Sequence, residues 1–208
     1  MKNVRNVRIN RAIISCYEKR GLKEFASELV KLNPDIKIFS SSGTYKELEP
    51  VARNNLVEIS EYVGFREMPA GLVKTLHPKI HSGILAELED PEQKSYLEDN
   101  KIEAFDLVVV NLYQFERAVS EGKCFEDVRK NIDIGGVSLL EAASKNFLRV
   151  AVVADPEDYA QLINALKKNN CSSDLKTRLG LAKKAVAHLQ HYLSEINNYF
   201  GKLKAEEL

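Results

Sequence analysis

Lysines, histidines and hydroxyls crowd one stretch, Gly71-Leu72-Val73-Lys74-Thr75-Leu76-His77-Pro78-Lys79-Ile80-His81-Ser82-Gly83. It shows neither a helical nor a strand period of apolar residues, so it reads as neither a core helix nor a core strand. Pro78 lacks an N–H and disfavours helical backbone at His77, which blocks a helix through the middle. Gly71 and Gly83 bracket the stretch as turn residues. The expectation is a long irregular loop of cations and hydroxyls, the usual form of a binding site. A merely solvated lysine-rich loop has the same composition. His77 and His81 stand four apart, as zinc ligands on a helix would, but Pro78 opposes that helix and no carboxylate or cysteine completes a set. No metal is expected.

Three further clusters carry polar chemistry. Ser40-Ser41-Ser42-Gly43-Thr44 precedes a helical pattern from Tyr45. Backbone N–H groups, hydroxyls and the positive end of a helix dipole would meet there, which makes a phosphate cradle. A plain N-cap needs only one of those hydroxyls. Asn111-Leu112-Tyr113 ends an apolar run. Asn131-Ile132-Asp133-Ile134-Gly135-Gly136-Val137-Ser138 sets a carboxylate, Asp133, before paired glycines at a second helix start, with Lys145 near that helix's end.

These clusters need a scaffold, and the apolar pattern supplies one. Ala12-Ile13-Ile14-Ser15-Cys16 reads as a buried strand. A helix follows from Gly21 with Leu22, Phe25, Ala26, Leu29 and Val30 on one face, and Ile36 to Phe39 reads as a second strand. Strand, helix and strand at this spacing make a βαβ unit with parallel strands. Leu56 to Ile59 is a short edge strand, and Tyr62 to Pro69 reads as irregular. Pro91 to Asn100 is an exposed polar helix. Asp106 to Asn111 is apolar without interruption, hence buried on both faces and central. Ligands in open α/β sheets bind at such carboxyl ends. Short helices follow over 115–120 and 125–130, then a strand over 149–154 and a helix opened by Asp155-Pro156-Glu157. From Asp174 to Tyr199 apolar residues recur every three or four positions. That is one helix of about 25 residues.

Composition narrows the function classes. Lys+Arg and Asp+Glu are equal at 30 each, so no global basic field attracts nucleic acid. No apolar run approaches the roughly 20 residues that cross a bilayer. The three cysteines, Cys16, Cys124 and Cys171, are odd in number and far apart, which fits neither a disulfide framework nor a zinc pattern. A reducing cytoplasm is the expected location.

Six segments together, in order and spacing, resemble the inosine monophosphate cyclohydrolase domain of bifunctional purine-biosynthesis enzymes. They are Ser41-Ser42-Gly43-Thr44, Gly64-Phe65-Arg66-Glu67-Met68, Val73-Lys74-Thr75-Leu76-His77-Pro78, Asn111-Leu112-Tyr113, Asn131-Ile132-Asp133-Ile134-Gly135-Gly136 and Ala142-Ala143-Ser144-Lys145-Asn146. The resemblance implies the methylglyoxal-synthase-like α/β fold: three layers, a mostly parallel twisted sheet with helices on both faces, and here a long C-terminal helix. The expected division is an α/β domain over 1–170 and a helical extension over 171–208.

The resemblance also implies a reaction. A formamido derivative of aminoimidazole carboxamide ribonucleotide closes its second ring, losing water to give inosine monophosphate, with no cofactor. Lys74, Tyr113, Asp133 and Lys145 correspond to the family's catalytic set. Asp133 and Lys145 are expected to handle the carboxamide proton. Lys74 and the N–H groups of Ile134, Gly135 and Gly136 would stabilise the oxyanion, and Tyr113 would orient the base or relay a proton. Ser15, Lys19, Ser41, Gly43, Thr44 and Thr75 are the phosphate-binding candidates, with Asn111 added for substrate.

Three departures from the family pattern bear on phosphate affinity more than on chemistry. Ser15-Cys16-Tyr17-Glu18-Lys19-Arg20-Gly21 replaces Ser-Val-Ser-Asp-Lys-Thr-Gly, Ser42 replaces a glycine, and Leu72 replaces an arginine. Two alternatives share the fold, a nucleotide-sensing binding domain and methylglyoxal synthase. The full catalytic-type set argues against the first, and the Asn-Ile-Asp-Ile-Gly-Gly and Ser-Lys-Asn segments argue against the second. With the chain ending at Leu208, the formyl-transfer step is expected on a separate protein. The C-terminal stripe is expected to fold back on its own sheet or to border a homodimer interface.

Overall fold

A computed structural model describes residues 6–66, 68 and 73–207. Glu67, Pro69, Gly71 and Leu72, named above, lie outside the described residues.

The elements in chain order are β1 (Val7–Arg8), β2 (Arg11–Cys16), α1 (Leu22–Leu32), β3 (Lys37–Ser40), α2 (Ser42–Ala52), β4 (Leu56–Glu58), α3 (Ile59–Val63), α4 (Pro78–Leu85) and α5 (Pro91–Asp99). Then come β5 (Leu107–Asn111), α6 (Phe115–Ser120), α7 (Phe125–Lys130), α8 (Gly135–Lys145), β6 (Ala151–Val153), α9 (Tyr159–Lys168), β7 (Ser172–Ser173) and α10 (Leu175–Phe200).

Five strands form one parallel sheet in the order β4-β3-β2-β5-β6. Strand alternation divides the apolar residues between two faces. Ala12, Ile14, Ile38, Leu107 and Val109 meet α1, α2 and α9. Ile13, Phe39, Val108 and Val110 meet α4, α6, α8 and α10. The three-layer α/β expectation therefore holds. All of β5 is buried, because strands flank both its edges and helices cover both its faces. Short β1 and β7 pair antiparallel apart from the main sheet, and two residues are too few to show a period.

Two expectations need correction. The cationic stretch is not irregular through Gly83: α4 starts at Pro78, inside it. Proline is excluded from helix interiors but suits the first position, where its missing N–H has no intrahelical partner anyway. His77 caps that helix, its Nδ1 accepting from the Lys79 N–H at 3.1 Å. Tyr62 likewise lies in the short helix α3.

The long helix α10 folds back onto the sheet. Leu181, Ala182, Ala185, Leu189 and Tyr192 are buried, the helix packs against β6 and α8, and Tyr192 reaches the Asp133 backbone. Asp174 caps it by accepting from the Thr177 N–H at 2.7 Å.

Candidate active site

Chain order runs outward in two directions from the middle of the sheet. From β2 it steps to β3 and β4 on one side, and β5 and β6 lie on the other. The crevice beyond the carboxyl ends of β2 and β5 is thus a topological switch point, where open α/β sheets bind ligands. Most of the predicted residues meet there.

One side of the crevice is a hydroxyl and ammonium cluster. Ser15 Oγ and Ser41 Oγ lie 3.0 Å apart. Thr44 Oγ1 accepts from the Cys16 N–H at 3.1 Å and from Lys19 Nζ at 2.9 Å. Lys19 Nζ also donates to the Cys16 carbonyl. Burial, with Lys74 nearby as a lesser cause, holds the Lys19 ammonium below the usual lysine range. Helix α2 begins at Ser42, three residues before the expected Tyr45, and Ser41 gives it no side-chain cap. A Cβ on exposed Gly43 would meet nothing within 4 Å, so the helix start is approachable. This is the geometry of an anion cradle. Thr44 itself is buried and ties β2 to α2, so it shapes the cradle from behind.

The other side surrounds Asp133. Its Oδ1 accepts from the Gly136 N–H at 2.7 Å, and the Tyr113 N–H also donates to it. Burial raises the carboxyl pKa above the usual aspartate range, against the opposing pull of these donors and of the Lys74 charge. The Asp133 N–H donates to the Tyr192 hydroxyl at 2.8 Å, which in turn donates to the Asn131 carbonyl at 3.0 Å. A Cβ on Gly136 would sit 2.6 Å from Asp133 Oδ2, and one on Gly135 2.6 Å from Thr75 Oγ1. Both glycines are needed for that close approach. Lys74, acting electrostatically on both Lys19 and Asp133, joins the two sides. The residue before it, Val73, has φ 57°, a left-handed conformation that β-branched residues rarely adopt.

Three predicted contacts come out differently. The Asn111 side chain is engaged with the β2–α1 loop: Oδ1 accepts from the Glu18 N–H at 2.8 Å and Nδ2 donates to the Glu18 carbonyl at 2.9 Å. The Gly136 N–H is held by Asp133 instead of facing a substrate oxygen. Exposed Lys145 ends α8, ten residues and about 15 Å of helix rise beyond Gly135. That is beyond the reach of a lysine side chain. Among the described residues no three His, Cys, Asp or Glu side chains converge as metal ligands.

Sequence reasoning missed Tyr192, Glu58 and the contact made by Tyr17. Glu58 accepts from Ser42 Oγ at 2.9 Å and borders a cleft with Ser41, Lys74 and His77. Tyr192 is one polar tip in an apolar stripe, a signal that a buried hydrogen-bond partner exists.

Comparison with known proteins agrees with this fold. Residues 21–138 match the MGS-like domain family. The chain belongs to that family. Residues 143–208 match the AICARFT/IMPCHase bienzyme family. One matched stretch ends and the other begins within α8, which packs against α10. The bifunctional purine biosynthesis protein PurH of Neisseria meningitidis is 42% identical over 96% of this chain and 37% of its own length. Its counterpart in Persephonella marina is 44% identical over 92% and 36%. This MGS-like chain thus spans little over a third of the length of these relatives. The crystal structure of ForH superposes with a TM-score of 0.77 at 28% identity, covering 92% of this chain and 99% of that one. No helix of the described residues is long and apolar enough to cross a membrane.

Proposed function

We propose that this chain is an inosine monophosphate cyclohydrolase, closing the formamido-imidazole carboxamide ribonucleotide to inosine monophosphate with loss of water. One observation carries the reading: a buried carboxylate and a lysine converge at the switch-point crevice directly beside an anion cradle. The cradle holds the 5′-phosphate through Ser15, Lys19, Ser41 and the first turn of α2. The carboxamide nitrogen attacks the formyl carbon and gives its proton to Asp133, which its environment makes a stronger base than an ordinary aspartate. Lys74 and the N–H groups of Ile134 and Gly135 stabilise the oxyanion. Asp133 returns that proton to the oxyanion to make a hydroxyl, and Lys74 protonates the hydroxyl as it leaves as water. The former formamido nitrogen forms the C=N bond and gives its own proton to Asp133, from which Lys74 is recharged through solvent. Tyr113, whose N–H donates to Asp133, orients that base.

The purified chain should convert the formylated ribonucleotide to inosine monophosphate without added cofactor. A chain that binds inosine monophosphate but gives no turnover belongs instead with nucleotide sensors. Stabilisation by dihydroxyacetone phosphate alone in a thermal-shift assay would favour methylglyoxal synthase.

The assembly belongs to the same reading. Leu179, Val186, Leu193 and Phe200 stand seven residues apart and exposed on the outer side of α10. A second copy would cover this stripe, giving a homodimer of twice the 23.5 kDa chain mass. Light scattering showing a monomer would remove the dimer. The relatives' names place them in purine biosynthesis, and we infer a cytoplasmic location for this chain.

A further inference from the structure

Tyr17 and Tyr113 come from different strands and meet across the switch point. Tyr17 directly follows β2, and Tyr113 stands two residues after β5. Their ring centroids are 5.3 Å apart at 62°, an edge-to-face pair. The backbone on each side is fixed independently. The Tyr17 N–H donates to the Asn111 carbonyl at 3.4 Å, and both amide groups of the Asn111 side chain hold Glu18. The Tyr113 N–H donates to Asp133, and its carbonyl accepts from the Phe115 N–H at 2.9 Å. With both backbones held, the rotamer of the Tyr113 ring is set by what that ring touches. The Tyr17 ring is half exposed and lies outside the apolar core, so packing of the fold does not explain it.

We propose that Tyr17 is a positioning residue: its ring fixes the orientation of the Tyr113 ring. The inference rests on the cyclohydrolase reading for its kinetic consequence, and on geometry alone for the ring contact.

The test uses the full chain labelled with meta-fluorotyrosine, with the Tyr113 fluorine resonance assigned by Tyr113→Phe. Tyr17→Ala should move that resonance, because a neighbouring ring current is lost. Its kcat should fall roughly 2- to 10-fold, the scale of an aromatic pair, with KM nearly unchanged. Tyr17→Phe retains the ring and should restore both readouts, which a role for the hydroxyl would not. Because the Tyr17 backbone is held by Asn111, both variants should fold, and circular dichroism checks this. A Tyr113 resonance at its parent position in Tyr17→Ala overturns the proposal. So does a rise in KM at constant kcat, which would make Tyr17 a ligand contact. If the parent chain shows no turnover, the cyclohydrolase reading fails and the fluorine spectra alone decide the ring contact.

Discussion

Helices α2 and α8 both begin at the carboxyl edge of the sheet, and they treat their first turns in opposite ways. At α2, Ser41 turns its hydroxyl toward Ser15 and leaves the helix without a side-chain cap. At α8, Asp133 folds its carboxylate back onto the Gly136 N–H. The same positive helix end is therefore left open in one case and meets a resident carboxylate in the other. A helix start that keeps its field open can bind a phosphate. One that is filled by its own acid holds that acid in a fixed place, and burial then raises its pKa. In the proposed function, binding and proton transfer are separated by which of two similar elements is capped.

The strongest way to break this contrast is to remove the charged groups. Asp133→Ala and Lys74→Ala should each lower kcat by roughly 10²-fold or more, with a smaller effect on KM. Steady-state kinetics of ring closure measures this, and near-parental kcat in Asp133→Ala would remove that residue from the scheme. Lys145→Ala in the same assay sharpens the geometry. A loss as large as that of Asp133→Ala would mean that its ammonium reaches the site from a second copy.

At the other helix, Thr44→Val keeps the shape and deletes the hydroxyl that joins Cys16, Lys19 and α2. KM should rise about 10-fold with kcat changing less, since the cradle grips the phosphate equally in ground and transition states. A fall in kcat at constant KM would place this cluster in the chemistry instead.

Stability against pH probes the same difference. A carboxyl whose folded pKa exceeds its unfolded value stabilises the fold below the unfolded value and loses that contribution as pH rises through the folded one. Asp133 is of this kind, so at neutral pH its charge opposes folding. Asp133→Asn retains an acceptor for the Gly136 N–H and removes that charge. Its Tm at pH 7 should exceed the parent's by roughly 2–4 °C, and the gap should close toward pH 3. A parent that is more stable at pH 7 would show that the N–H donors and Lys74 outweigh burial.

The smallest expected effect is none. EDTA should leave the rate unchanged, because the proposed scheme assigns the acid, base and oxyanion roles to Asp133, Lys74 and backbone N–H groups. A rate restored only by added divalent ions would overturn that assignment.

The sequence alone determined the five strands of the main sheet, most helices and the family. Apolar runs such as Leu107 to Val110 and the period of Ala182 to Tyr199 are local signals, because burial on two faces or on one stripe imprints itself directly on residue type. The motifs singled out Asp133, Lys74 and the Ser/Thr cluster for a similar reason, since each proposed role demands a particular functional group. Tertiary structure decided which of these groups meet. Asn111 and Lys145 read as site residues by position, yet one holds the Glu18 backbone and the other stands a helix length away. Tyr17 and Tyr113 lie far apart in sequence and touch only because β2 and β5 are neighbours. Such pairings depend on strand order and on which hydrogen bonds each group already makes, and neither quantity has a local signature in the chain.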